Sequence, residues 1–293
     1  MAESSTGVAT EWRHRGGMLA PVQAALAVEM PVALEYNGIS HAVMLATPDD
    51  LEDFALGFSL SEGIIDRAGD LYGVEATHAA GGITLALDIA AGAFARLKER
   101  RRSLVGRTGC GICGTESLDQ VLRPLAPLAA PLWRLAPAAL ERASTALPGA
   151  QALLQLTGAT HGAAWCAPDG TIVQVREDVG RHNALDKLIG ALVGAGVARD
   201  QGFVLITSRA SVEMVQKSAT AGISMLAAVS GPTTLAVQTA DQLGVTLIGF
   251  ARGARFSVYT HRNRVEPSDD HSPATDNGAR PGLPDPPDGN SGA

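Results

Sequence analysis

Cys110 and Cys113 stand at C-x-x-C spacing within Gly106-Arg107-Thr108-Gly109-Cys110-Gly111-Ile112-Cys113-Gly114. Two thiols so spaced support three chemistries. A structural zinc site wants four ligands, usually two such pairs or one pair with histidines. Here only Cys166 and His161 offer themselves as the remainder. A thioredoxin-like dithiol sits where a strand meets a helix, and the glycine-rich flanks fit that context poorly. A sulfur-carrying persulfide needs one exposed, nucleophilic thiolate, and Arg107 is close enough in sequence to favour the anion. Glycine lets the backbone take positive φ and lets a bulky ligand approach. Spacing alone leaves all three open, together with a pair of loop cysteines that does no chemistry.

Other residues have a chemical and a plain reading. Arg252 and Arg255 flank Gly253 just after an apolar run, where an arginine fork can grip phosphate. The plain alternative is a solvated turn. Ser208 and Arg209 follow the run Phe203–Thr207 and precede a helix, the place where open α/β sheets bind ligands. His182 and Asp186 are four apart on one expected helix, and Asp178 is placed to cap it. Glu213 and Lys217 are also four apart and are expected to form an intrahelical ion pair. His161 is expected to be a satisfied structural histidine. The basic run Arg96-Leu97-Lys98-Glu99-Arg100-Arg101-Arg102 reads as a solvated helix face.

These groups need a scaffold. Aromatic residues are only 4% of the 293, so the core must be aliphatic, which suits helices packed on a sheet. A net charge of -7 argues against general nucleic-acid binding. Three cysteines in a chain this long do not make a disulfide framework, and reduced thiols imply a cytoplasmic setting. No signal peptide or membrane span is expected.

Five stretches follow from the patterning. Residues 1–17 read as a disordered tail. Residues 18–105 read as a small α+β domain. Within it, Val32–Tyr36 and Ile39–Ala46 form a hairpin at Asn37-Gly38. A helix capped by Thr47, with Pro48 at its first position, follows and ends at Gly63. Residues 106–149 read as the cysteine loop and a proline-rich linker with one short helix after Pro137. Residues 150–262 alternate strands and helices as an α/β domain, and 263–293 read as a second disordered tail.

Several motifs in order resemble the formate dehydrogenase accessory sulfurtransferases, the FdhD family. They are the loop Gly106–Gly114, the run Glu177-Asp178-Val179-Gly180-Arg181-His182-Asn183-Ala184-Leu185-Asp186-Lys187, Thr207-Ser208-Arg209 with Glu213 and Lys217, and Val245–Thr260. Thr47–Ile65 is similar to the family's early helix, and the likeness spans about residues 20 to 262. Ala159 and Gly162, around the retained His161, depart from the family's pattern.

The resemblance implies a cytidine deaminase-like three-layer α/β domain behind the small domain. It implies sulfur taken from a cysteine desulfurase as a persulfide on Cys110, with Cys113 beside it. The sulfur would pass to a molybdenum bis-guanine-dinucleotide cofactor, bound as substrate and then used by formate dehydrogenase. Phe250, Ala251, Arg252, Gly253, Ala254 and Arg255 match the family's cofactor-binding segment, with Ser208 and Arg209 as further candidates. A homodimer without structural metal is implied. Two alternatives stand beside this reading. A zinc deaminase wants H-x-E and a later P-C-x-x-C, but His161-Gly162-Ala163 has no glutamate and the cysteine pair lies upstream. A non-catalytic chaperone would only bind and hand over the cofactor.

Overall fold

The computed structural model describes residues 4–105 and 124–267, with the backbone alone for 100–105. The chain opens with an antiparallel hairpin, β1 (Thr6–Arg15) and β2 (Met18–Ala27), paired from Thr6↔Ala27 to Arg15↔Met18. Residues from Thr6 onward are therefore not the disordered tail expected of 1–17. Gly16 and Gly17 both have positive φ (59° and 81°), which is the turn geometry that matches strand twist.

Next comes a four-stranded sheet in the order β4-β3-β6-β5. β3 (Met30–Tyr36) and β4 (Ile39–Ala46) turn at Asn37-Gly38 as the sequence indicates. β5 (Leu71–Ala79) and β6 (Gly82–Ile89) form the second hairpin, and β3 runs parallel to β6. Helices α1 (Leu51–Ser61) and α2 (Ala91–Val105) cover one face, burying Phe54, Phe58, Ala93 and Leu97 against Val32, Leu34, Leu85 and Leu87. Thr47 is not the cap of α1. That position belongs to Asp50, and Thr47 is buried elsewhere.

The larger unit is built on six strands in the order β12-β11-β10-β9-β7-β8. β7 (His161–Cys166) and β8 (Ile172–Asp178) form a hairpin. Then β9 (Phe203–Ile206), β10 (Met225–Ala228) and β11 (Thr246–Arg252) run parallel, and β12 (Arg255–Val258) returns antiparallel. Short, wholly apolar β9 and β10 are what a sheet buried on both faces requires. The crossovers β8-α5-β9, β9-α6-β10 and β10-α7-β11 all step in one direction. With a constant hand they put α5 (Arg181–Gly194), α6 (Val212–Thr220) and α7 (Thr234–Gln242) on one face.

Helix α3 (Pro137–Ala150) packs Leu140, Ala143 and Leu147 on the other face, and α4 (Ala152–Thr157) follows it. So α3 is a full layer of the domain, longer than the short linker helix expected within 106–149. Its stripe was masked by Pro148, which the last turn tolerates. The second boundary also moves. Leu135 N donates to the Arg264 carbonyl, Glu266 N donates to the Leu135 carbonyl, and Val265 is buried, so the chain stays packed on the domain through Glu266.

The two units meet chiefly through one helix pair, α1 and α5. Helix α1 crosses α5 so closely that a Cβ on Gly57 would sit 1.7 Å from the Asp186 carbonyl oxygen. One on Gly190 would sit 1.9 Å from that of Asp53. In a free helix, alanine in place of glycine stabilises by up to about 1 kcal/mol. Here the backbones must separate, and overpacking costs about 1–3 kcal/mol. Gly190→Ala and Gly57→Ala should therefore each destabilise the fold in urea titration. A gain in stability for either would show that the contact is loose.

Candidate functional site at the carboxyl edge

Parallel β9, β10 and β11 end on one edge of the large sheet. Reading along it, the edge presents Arg252 and Arg255 at the β11–β12 turn, Ser230 and Gly231 after β10, and Thr207-Ser208-Arg209 after β9. Antiparallel β7 begins there with His161, and β8 ends there with Asp178, paired with His161 in register. The N-termini of α5, α6 and α7 open onto the same edge, where their backbone dipoles favour negative charge.

The β11 end is distorted. Its register with β12 shifts between Gly249 and Arg252, and Phe250 has φ 56°, a costly conformation for a bulky residue. The ring lies against Gly231, where a Cβ would be 2.7 Å from its outermost carbon, yet Phe250 remains 47% exposed. Strain that presents an aromatic face beside two arginines points to a binding role. Ala251 is buried beneath, while Arg252, Ala254 and Arg255 are exposed around the Gly253 turn. Arg252 Nε donates to the Val229 carbonyl (3.1 Å), which fixes its stem across the end of β10. Ser208 is buried and its hydroxyl donates to the Arg209 carbonyl, while the Arg209 side chain is exposed.

Charge is distributed unevenly. Arg181, Arg209, Arg252 and Arg255 have no carboxylate partner among the described residues. Elsewhere Arg96 meets Asp66, Arg142 meets Asp169, and Arg176 meets Asp53 at 2.7 Å, while Arg199, Arg262 and Arg264 donate to backbone carbonyls. Four arginines without a carboxylate partner on one edge of an acidic chain focus positive potential there.

Two buried ion pairs hold the turn from β8 into α5. Asp178 is fully buried. Its Oδ2 accepts from Thr47 N (3.0 Å), Thr47 Oγ1 (2.9 Å) and Lys187 Nζ (2.8 Å). Its Oδ1 accepts from Gly180 N (2.7 Å) and Asn183 Nδ2 (3.1 Å). Gly180 holds the cap position of α5, so Asp178 ties the turn together without being the cap. On the next side of α5, Asp186 accepts from Ser61 Oγ and from Lys217 Nζ (2.9 Å), which also reaches Glu62 (2.6 Å). Burial alone would push the Lys217 ammonium down, but Asp186 and Glu62 outweigh it and hold it above the usual lysine range.

Several sequence expectations change in consequence. Lys217 pairs across helices, and the intrahelical pair with Glu213 does not form. Glu213 accepts from Ser211 and faces His182 at 3.7 Å, too far for a hydrogen bond. Burial, then Arg181 and Lys217, push the His182 imidazole below the usual histidine range. His161 is half-buried and has no hydrogen-bond partner among the described residues, so it is not the satisfied histidine expected. His161 and Cys166 occupy opposite ends of β7, ~17 Å apart at ~3.4 Å per residue, and cannot share one metal. Gly162 has a packing reason, since a Cβ there would lie 2.4 Å from the Gln151 amide.

Cys110, Cys113 and Arg107 lie outside the described residues. The chain is described again from Pro124, and Leu128 N donates to the Leu243 carbonyl (2.9 Å) at the opposite, amino edge of the sheet. Of the basic run, Arg96 is paired with Asp66, and Lys98 lies 4.7 Å over the Phe94 ring. Sequence reasoning passed over Arg181. Its signal was available: a cation in the first turn of an expected helix opposes the dipole and needs a reason.

The fold and this edge together define an α/β protein whose carboxyl-edge strand ends are cationic and aromatic. Over residues 27–266 the chain matches the model of the FdhD/NarQ family, and it belongs to that family. It is 58% identical over 241 residues to the sulfur carrier protein FdhD of Variovorax paradoxus, covering 82% of this chain and 86% of that one. It is 56% identical over 262 residues to the protein of the same name from Cupriavidus necator, covering 89% and 90%. The fold is similar to the crystal structure of a candidate formate dehydrogenase accessory protein from Desulfotalea psychrophila. That likeness has a TM-score of 0.72 at 23% identity and covers 90% of this chain and 100% of the other.

Two outcomes follow from the buried groups. Cys166 is buried in an apolar cluster, which pushes its thiol up to about 12. It should resist iodoacetamide in the native protein and react once unfolded, as read by peptide mapping. Lys187→Met strands a buried carboxylate and should cost about 3–5 kcal/mol in urea titration. Adding Asp178→Asn should recover part of that loss. A double variant as unstable as the sum of the two singles would contradict the pairing.

Proposed function

We propose that this chain is a sulfurtransferase that carries sulfur as a persulfide on Cys110 and delivers it to a molybdenum bis-guanine-dinucleotide cofactor for formate dehydrogenase. The observation that carries the ligand half of this reading is the carboxyl edge, with Phe250 held in a strained conformation between unpaired Arg252, Arg255 and Arg209. Arginine forks suit diphosphate oxygens, and an exposed ring suits a base. The sulfur half is supported by family membership and by relatives named sulfur carrier protein.

In the loading step the Cys110 thiolate attacks the outer sulfur of a persulfide on a cysteine desulfurase. The donor's sulfur–sulfur bond breaks, the donor leaves as a thiolate, and a new sulfur–sulfur bond forms on Cys110. Neither oxidant nor reductant is consumed. Arg107 favours the attacking anion, and Cys113 stands by as a second thiol. The cofactor is cargo. Phe250–Arg255, with Ser208 and Arg209, hold its nucleotide part, while the persulfide presents sulfur to the metal. The setting is cytoplasmic, and no helix among the described residues is long and apolar enough to cross a membrane. A second copy of the chain is the natural cover for the exposed face of the first hairpin, where Val8, Trp12 and Leu19 stand in water. A lone two-stranded hairpin is marginal without cover.

Incubation with a cysteine desulfurase and cysteine should add one thiol-labile sulfur to Cys110, read by mass spectrometry. Cys110→Ala should lose it and Cys166→Ala should keep it. Full loading of Cys110→Ala would end the assignment. In calorimetry with guanosine diphosphate, Arg252→Ala or Arg255→Ala should weaken binding by about tenfold to a hundredfold, since a charge-assisted bond contributes ~1.5–3 kcal/mol. Loading of sulfur should survive either change.

A further inference from the structure

The first hairpin projects from the molecule. Near its base, Ala9, Glu11, Val22 and Ala24 share one face and are partly covered, where β2 packs on α4. Beyond the Glu11↔Val22 pair the cover ends. Every residue from Trp12 to Pro21 is exposed, so four pairs and the Gly16-Gly17 turn stand in water on both faces. That free part is ~14 Å long at ~3.4 Å per residue. Its chemistry changes along its length. Trp12 faces Pro21 across the ribbon, on the same side as Leu19 and Val8. Trp12 is 68% exposed and Leu19 63%. Beyond Trp12 come Arg13, His14 and Arg15, so the tip of the ribbon is cationic in an acidic chain.

The small sheet carries the complement. Val32, Leu34, Ile83, Leu85 and Leu87 point toward α1 and α2, so the residues between them form the opposite face. On that face Pro31 stands beside Leu45 and Ala33 beside Val43, on β3 and β4. Glu35 adjoins Ala86 on β6, Ala86 pairs with Glu75 on β5, and Asp88 follows on β6. Val43 is 61% exposed and Leu45 55%, where a solvated sheet face ordinarily alternates to polar residues. Glu35, Glu75 and Asp88 have no cationic partner among the described residues. From β4 to β5 the face therefore changes from apolar to acidic. It does so over three strand spacings, ~14 Å at ~4.8 Å each. The free part of the ribbon has the same length and the matching order, apolar at Trp12 and cationic at the tip.

We propose that the hairpin of one chain lies across the open face of the small sheet of a second copy. Trp12, Leu19 and Pro21 rest against Val43, Leu45 and Pro31, and the cationic tip points toward Glu75 and Asp88. The exchange is reciprocal about a two-fold axis, so both arms and both sheet faces are covered together. This rests on the reading that a second copy covers the hairpin, and it names the surface that receives it. The apolar part supplies affinity, and the charges fix which way the arm lies.

The test is sedimentation equilibrium of the full chain over a range of concentrations. The parent should be a dimer. Trp12→Ala/Leu19→Ser on the arm and Val43→Lys/Leu45→Lys on the sheet should each weaken association by about thirtyfold or more, the effect of removing an aromatic anchor or its pocket. Arg13→Glu/Arg15→Glu and Glu75→Lys/Asp88→Lys should each weaken it too. Combined in one chain, the two charge reversals should restore the dimer, which a loss of folding would not do. All of these side chains are exposed in the single chain, so circular dichroism of the variants should match the parent's. A parent that is monomeric at every concentration overturns both the second-copy reading and this interface. A dimer that survives every variant keeps the second copy and overturns this contact. Dissociation by the arm variants alone, or charge reversals that fail to rescue each other, puts the arm on another surface and overturns the proposal as well.

Discussion

Asp178 has no exposed surface, yet it pairs with Lys187 at 2.8 Å and accepts from Thr47, Gly180 and Asn183. Burying two charges costs several kcal/mol per ion before their attraction returns any of it. The arrangement is tolerable because every lone pair and every proton finds a partner: Lys187 Nζ also donates to the Thr47 hydroxyl (2.7 Å) and carbonyl (3.1 Å). Two segments distant in sequence, Thr47 ahead of α1 and the turn from β8 into α5, meet at this one carboxylate, and that turn has no freedom left. The site edge inherits that rigidity, because Arg181 and His182 are the first residues the fixed turn presents.

Helix α5 is thus the axis of the molecule. One side feeds Lys187 into the Asp178 cluster, and the adjacent residue, Asp186, reaches Ser61 and Lys217. Between them the backbone comes close enough to α1 that glycine is required at 57 and 190. A purely apolar interface would hold the two units together about as well, since well-packed apolar replacements of buried ion pairs are often neutral or stabilising. What the ions add is register. A helix slid by one turn along α1 would strip Thr47 from the Asp178–Lys187 pair and Ser61 and Glu62 from the Asp186–Lys217 pair, so only one docking of the small domain is tolerable.

The strands of both sheets and the helices after β8, β9 and β10 were legible because their apolar periods are local. Asn37-Gly38 marked a hairpin for the same reason. The errors share a different cause. Thr47 reads as a cap, and Glu213 with Lys217 as a helical pair, when only sequence neighbours are considered. Their real partners lie far along the chain: 131 residues to Asp178 for Thr47 and 31 to Asp186 for Lys217. The first hairpin was missed because its exposed strands carry no buried face to impose a pattern, and only Gly16-Gly17 signalled it. Helix α3 was hidden by its prolines although Leu140, Ala143 and Leu147 have helical spacing. Of the site, the arginines beside Gly253 were legible as residues past a buried strand. The strain at Phe250 and the absence of partners for Arg181 were not, since both are properties of neighbours in space.

Placing unpaired cations on one edge of an acidic chain costs stability. Arg181 opposes a helix dipole, Phe250 is held at a φ that bulky side chains avoid, and two imidazoles sit partly desolvated beside a guanidinium. Each feature is unfavourable alone, and all three lie at the ends of the same strands. A fold tolerates such a concentration only where the rest over-determines the backbone. That is what the Asp178 cluster and the crossing of α1 with α5 provide directly beneath. A polyanion arriving at this edge would meet Arg209, Arg252 and Arg255 without carboxylate partners, on turns that need no reorganisation. Its own negative charge would satisfy the helix N-termini, the arginines and the histidines together. On the proposed nucleotide reading, the energy withheld from folding at the edge becomes available to binding, chiefly for the part of the ligand that carries phosphate.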